Sequence, residues 1–304
     1  MSEDERTELL RREPDAEKFI RPFLGADEFI NNIPRYCLWL RNAKPDELRR
    51  LPLVMQRVQA VKAFRLESKR QATNELAATP TQFAFVSHPD SHYLLLPSVS
   101  SERRNFIPIG FMPPEVIASN LCLIIPHATL YHFGILTSTM HMAWVRYTCG
   151  RLKSDYRYSA GIVYNNFPWP DLPSPQPSPR KRGEGAGISS PHVVGRGRSA
   201  AEGEGKVEAA AQAVLDARAQ YMLPLPACGE RVGVRGASLA DLYDPLTMPP
   251  ALTKAHQALD RAVDACYRKA TFANDAQRVE FLFERYQQLT SLLPTEKSPK
   301  KRKG

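Results

Sequence analysis

No stretch of this chain is apolar over enough length to cross a bilayer, which excludes a membrane-spanning helix. The opening MSEDERTELLRREPDAEKF alternates acidic and basic groups where a secretory leader would carry an apolar segment, so no export signal is expected. Cysteine is scarce: Cys37, Cys122, Cys149, Cys228 and Cys266 are odd in number and form no CxxC pair. That excludes a disulfide framework and a zinc knuckle, and it fits a reducing, cytoplasmic compartment. A GxSxG nucleophile motif is also missing, as is any strand followed by GxG, a helix and a downstream acid. The chain therefore offers no cradle for a nucleotide-like cofactor, and none is expected in it.

What is present is ample core material, 43% hydrophobic residues in 304, and a formal charge of +9. The charge is unevenly placed. The tail Pro294–Gly304 carries +4, the stretch 173–205 carries +2 and 222–236 carries +1, so seven of the nine lie in low-complexity segments. The folded remainder is nearly balanced, and net charge alone argues no DNA binding by it.

Aromatic and apolar bursts over Phe19–Leu40 end in RYCLWL, which reads as a buried strand. Residues 45–71 carry apolar groups at helical spacing, from Leu48 to Phe64. Short strand-like runs follow at 82–86, 92–97 and 106–110, then an apolar run at 121–126 and one buried helix over 128–147. Composition changes abruptly after residue 172. The stretch 173–205 is rich in Pro, Gly, Ser and Arg and reads as disordered. KVEAAAQAVLDARAQY (206–221) is helical by propensity, 222–236 is again broken by Pro and Gly, and 252–269 and 275–293 are amphipathic helices. Codons exist for which PSPQPSPRKRGEG (173–185) and LPLPACGERVGVRG (223–236) are complementary in shifted frames. Both insertions then read as translated arms of an inverted repeat, which the nucleotide sequence tests.

The fold class expected is α+β: a mixed α/β domain followed by a small helical domain, with two Pro/Gly-rich disordered insertions. The expected boundaries are a polar lead-in at 1–18, the first domain at 19–172 and an insertion at 173–205. The helical domain follows at 206–293, holding the second insertion at 222–236, and a basic tail closes the chain at 294–304.

Three chemistries fail on their residue requirements. Amino-group methylation needs a proline-stiffened loop directly after an Asn or Asp, but Asn166-Phe167-Pro168-Trp169 places an aromatic in between. That turn is read as packing, with Phe167 and Trp169 in the core. Asp15-Ala16-Glu17-Lys18 echoes a metal-dependent nuclease, yet adjacent Glu17 and Lys18 would point apart on a strand. His88, His92, His127, His132 and His141 show no ligand spacing within one helix, and His141 reads as a hydrogen-bonded core residue. No catalytic and no metal site is expected.

Arg151, Lys153, Asp155, Arg157 and Ser159 alternate with Leu152, Ser154, Tyr156, Tyr158 and Ala160. Taken as one strand, this sets the charged groups on one face. Such a face is commonly just solvated, but basic groups around one acid also suit a major groove. Arg or Lys donates to guanine O6 and N7, and Asp accepts from cytosine N4. SSERRN (100–105) adds Arg103, Arg104 and Asn105 as donors for phosphates or base edges.

FLGADEFINNIPRYCLWL (23–40), FIPIGFM (106–112), MHMAWVRYTCGRLKSDYRYSAGIVYNNFPWP (140–170) and LADLYDPLTMPPALTKAHQALDRAVD (239–264) together resemble the C-terminal part of MmeI-like type IIL restriction–modification enzymes. Enzymes of that family join a nuclease, an adenine-N6 DNA methyltransferase, a target recognition domain and a C-terminal helical domain. The resemblance implies that 19–172 is the target recognition domain and that Lys153, Asp155 and Arg157 read bases. Arg151, Arg103, Arg104 and Asn105 then serve the backbone or accessory contacts.

It also implies double-stranded DNA as partner. S-adenosylmethionine is expected only for the methyltransferase domain, which is absent here along with the nuclease. On this expectation the chain is a recognition module without its own chemistry: a specificity subunit working with a separately encoded methyltransferase/nuclease chain, or the remnant of a disrupted gene. The competing expectation is a helical protein-interaction module with a nonspecifically binding basic tail.

Overall fold

In the computed structural model the described residues are 1–84, 88–170, 198–222 and 236–291. Most of both expected insertions, the whole basic tail, Cys228 and part of the strand expected at 82–86 lie outside them. The architecture is α+β, as composition and patterning imply.

Helix α1 (Glu3–Arg12) opens on a reciprocal cap: Ser2 Oγ accepts from Glu5 N at 3.2 Å, and Glu5 Oε2 accepts from Ser2 N at 2.8 Å. Leu9 is its buried anchor, and a 3₁₀ turn over Pro14–Phe19 adds Ala16 and Phe19. Strand β1 (Ile20–Leu24) leads into α2 (Ala26–Asn31), which stops at Asn32 in a left-handed conformation that Asn tolerates. The chain returns as β2 (Tyr36–Leu38), antiparallel to β1.

The helix expected over 45–71 is divided. Helix α3 (Pro45–Arg49) ends before Pro52, which lacks a donor and takes the first turn of α4 (Pro52–Leu66). Buried Glu13 accepts from Leu53 N at 2.5 Å and Val54 N at 3.2 Å, so its carboxylate caps α4. Leu9, Ala16, Phe19, Ile20, Leu40, Leu48, Leu51, Val54 and Val58 form one core. The first eighteen residues thus supply two core side chains and a cap. A short helix, α5 (Gln71–Glu75), follows.

A second core begins at β3 (Tyr93–Pro97), every residue of which is buried. Strand β4 (Val99–Ser100) comes next, then β5 (Gly110–Met112), β6 (Ile117–Ala118) and β7 (Cys122–Pro126). β3 lies between β5 and β7, antiparallel to both, whereas β6 pairs in parallel with β1 and ties the two cores together.

The single helix expected over 128–147 is two: α6 (Leu130–Leu136) and α7 (Thr139–Thr148). Ser138 causes the break. Its Oγ accepts from His141 N and donates to Ile135 O, ending one helix while capping the next. After α7 the chain forms β8 (Gly150–Leu152) and β9 (Asp155–Arg157), then a π-helical turn over Ala160–Tyr164.

Helix α8 (Arg198–Ala219) starts eight residues earlier than the helix read from residue 206. Gly203 and Gly205 weaken its propensity, and the helix holds through its buried face of Val207, Ala211 and Val214. Helices α9 (Leu239–Leu242), α10 (Pro250–Tyr267) and α11 (Asp275–Thr290) complete the chain's described part. α8 crosses α6 at Gly134, where a Cβ would meet Val207 Cγ1 at 2.7 Å and Ala211 Cβ at 3.2 Å. One continuous core therefore runs from β3 through α6 and α7 to Val207, Ala211, Leu259, Val263 and Leu282.

Candidate nucleic-acid interface

The stretch 150–157 is not one strand. β8 and β9 form an antiparallel hairpin around a two-residue turn, Lys153-Ser154, with Leu152 opposite Asp155, Arg151 opposite Tyr156 and Gly150 opposite Arg157. Directly opposed residues share a face. The turn therefore resets the parity of the alternation: Asp155 and Arg157 share a face with Leu152, while Arg151 lies on the other face with Tyr156. The expectation of one charged face from Arg151 to Ser159 is corrected accordingly.

The two faces do different things. Tyr156 is buried, next to Ser100 of β4, and the Arg151 guanidinium stacks on its ring at 4.1 Å. Arg151 also donates to Ser154 O at 2.9 Å and approaches Glu102 Oε2 at 3.7 Å. Its groups are occupied in holding the hairpin. On the opposite face Arg157 is exposed, Asp155 is half-buried and Leu152 is exposed. Lys153 sits exposed at the tip with φ of 57°, a left-handed conformation that an L side chain adopts at a cost of about 1–2 kcal/mol.

The turn 101–105 abuts this outward face. Glu102 N donates to Asp155 Oδ1 at 3.3 Å. Arg104 is half-buried beside Asp155 and Asp244; burial lowers its pKa, and the two carboxylates oppose that effect. Arg103 and Asn105 are exposed. The geometry thus brings Lys153, Asp155, Arg157 and Arg104 to one region and takes Arg151 out of it. Two contributors were missed in the sequence: Glu102, hidden among the basic residues of SSERRN, and Asp244, which comes from the helical part of the chain.

Beneath the hairpin the chemistry is structural. Tyr158 N donates to Ser98 O at 2.8 Å, and the Tyr158 hydroxyl meets His141 Nε2 at 2.9 Å. Complete burial pushes the His141 pKa down to about 3, so this pair is neutral and serves packing. Phe167 and Trp169 are buried, and Asn166 Nδ2 donates to Gly161 O and Ile162 O, closing the turn as packing requires. Buried Arg218 donates to Ile109 O and to the Tyr243 hydroxyl, which meets His256; Phe106 stacks on His256 at 4.0 Å.

Among the described residues, no three His, Cys, Asp or Glu side chains are arranged to hold a metal, and no helix is long and apolar enough to cross a membrane. Cys37, Cys122, Cys149 and Cys266 are free thiols, with burial raising each pKa to about 11 or 12.

Comparison with known proteins gives a consistent picture. Residues 1–171 match the family described as "MmeI, target recognition domain" and 200–294 match "MmeI, C-terminal domain". The curated protein "DNA methyltransferase A" of Bacillus subtilis (strain 168) is 37% identical over 286 residues, covering 94% of this chain and 28% of that protein. A solved structure of the type IIL restriction–modification enzyme MmeI in complex with DNA superposes with a TM-score of 0.79 at 42% identity. It covers 96% of this chain and 34% of the other. The chain thus spans about a third of the relatives it matches.

Proposed function

This chain belongs to the MmeI family, through both its target recognition and its C-terminal domain, and from that we propose that it is the sequence-specific DNA recognition module of an adenine-N6 methyltransferase or restriction–modification system. The observation that carries the reading is the outward face of the hairpin. It presents half-buried Asp155 and exposed Arg157, with exposed Lys153 at the tip, on a hairpin flanked on one edge by β4, and a β-ribbon is a shape that a major groove admits.

Lys153 donates to guanine O6 or N7, and Asp155 accepts from the N4 amino group of the paired cytosine, so one G·C pair is read in one orientation. Arg157 and Arg104 add donors beside it, and Arg103 and Asn105 contact the backbone. Arg151 acts as a support. Recognition here is binding without chemistry. Methyl transfer from S-adenosylmethionine belongs to a methyltransferase domain, joined to this chain or encoded separately.

The interaction-module alternative draws less support, because the apolar faces of α8, α10 and α11 cover α6 and α7. The test is selection of bound duplexes from a pool with a randomised core, using the full chain. The double change Lys153→Glu with Asp155→Arg should invert or abolish preference at one position. Equal loss at every position would assign both residues to phosphate contact or folding instead.

A further inference from the structure

The hairpin is too small to aim itself. Two three-residue strands, joined on one edge to the two-residue β4, form an element that is marginal in isolation. A tip about 10 Å from its root, three residues at about 3.3 Å each, moves by nearly 2 Å for a tilt of about 10°. Base reading tolerates only about 0.5 Å, so something must fix the root.

Contacts from α10 and α11 do so on both sides. At the start of α7, Asp260 accepts from Thr139 N and Thr139 Oγ1, each at 2.7 Å, placing a carboxylate on one amide the helix leaves free and on the hydroxyl of the same residue. At the end of α7, just before the hairpin, Arg146 pairs with Asp275, the first residue of α11. Where the chain leaves the hairpin region, Arg285 donates through Nε and Nη2 to Trp169 O at 3.1 and 2.9 Å. Arg278, bonded to Asp264 at 2.6 and 3.1 Å, locks α11 to α10, so the contacts move as one body.

We infer that the C-terminal helices set DNA specificity without touching DNA at these positions, with Asp260, Asp275 and Arg285 as positioning residues for the hairpin. The inference rests on the base-reading assignment of Lys153 and Asp155. It gives the C-terminal helices a task in recognition beyond covering a core.

The test compares the full chain with Asp275→Ala and Arg285→Met in two measurements. In duplex selection, each variant should lose about tenfold discrimination at the pair read by the hairpin, the scale of one bidentate contact, with other positions and the salt dependence unchanged. In a background carrying both Lys153→Ala and Asp155→Ala, Arg285→Met should cost nothing further at that pair. A uniform loss, or the same loss in both backgrounds, overturns the inference. In amide exchange without DNA, residues 155–157 should exchange about tenfold faster while Leu94 and Leu95 do not change. Unchanged exchange in the hairpin also overturns it. Should Arg285→Met fail to fold, Arg285→Lys keeps one donor and carries both measurements. A wild-type chain that enriches no sequence sinks the base-reading assignment, and exchange alone then decides whether the clamp operates.

Discussion

Arg151 and Asp155 belong to one hairpin yet face opposite ways, because Arg151 pairs across with Tyr156 while Asp155 pairs with Leu152. The guanidinium is committed to the Tyr156 ring and to Glu102, whereas the carboxylate stands on the open face. Two neighbouring charges in the sequence therefore belong to different jobs, one holding the element and one facing outward.

That division predicts different phenotypes for two arginines. Arg151→Ala should lower stability by about 0.5–1 kcal/mol, the worth of an exposed cation–π contact, and through the loosened hairpin reduce discrimination at the pair it reads. Arg157→Ala should leave the urea midpoint unchanged and reduce discrimination at a single pair by about 1–3 kcal/mol. Urea melts, together with binding to a selected duplex and its single-pair variants, separate the two. Identical behaviour would refute the two-face arrangement.

Lys153→Gly should stabilise the hairpin and disable it. Glycine enters the left-handed region freely, so about 1 kcal/mol is returned to stability, while the donor aimed at guanine disappears. Thermal melting should rise as selectivity falls. A variant that loses stability would show that the Lys153 side chain supports the fold.

Gly134→Ala should open the seam between α6 and α8. Its methyl would sit 2.7 Å from Val207 Cγ1, 3.2 Å from Ala211 Cβ and 3.3 Å from Leu259 Cδ1, and overpacking of this kind costs about 1–3 kcal/mol. Adding Val207→Ala should recover part of the loss in urea titration. No recovery would place the strain elsewhere.

Stability should fall on acidification through two buried histidines. Burial holds His141 near pKa 3, and burial together with Arg218 holds His256 near 3, whereas both take a proton near pH 6.5 when unfolded. The unfolded chain then binds more protons below about pH 6.5, so the contribution of these two groups is complete above about pH 7. It declines below that by ~1.4 kcal/mol per pH unit for each histidine until about pH 3. Asp260 works in the opposite sense: burial raises its pKa, which favours the folded chain toward acid and offsets part of the decline. Urea midpoints across this range should show the slope, and His141→Gln should remove about half of it. An unchanged slope would mean that His141 is not the titrating group.

Much of this was legible in the residues, for identifiable reasons. The fully apolar β3, the packing turn at Phe167 and Trp169 and the buried His141 announce themselves through hydrophobicity. The family motifs singled out 150–157, the stretch that forms the hairpin. The hairpin was not legible, because Lys153-Ser154 lacks the Asn-Gly or Gly signature of a tight turn and leaves a clean alternation on either side. Ser138 by capping, and Pro52 by taking the first turn of a new helix, divided expected helices, local effects that apolar spacing does not register. The early start of α8 was masked by Gly203 and Gly205, whose low helix propensity hides the turns before residue 206. Asp244 reaches the candidate site only through the folding together of distant segments.

The shared core between α6 and α8 has a practical corollary for how this polypeptide can be divided. Severed between residues 170 and 198, the chain would yield two pieces whose greasy surfaces fit one another at Gly134, Val207, Ala211 and Leu259. Co-expressed, they should reassemble as a split protein, and the strength of reassembly becomes a reporter of the seam itself.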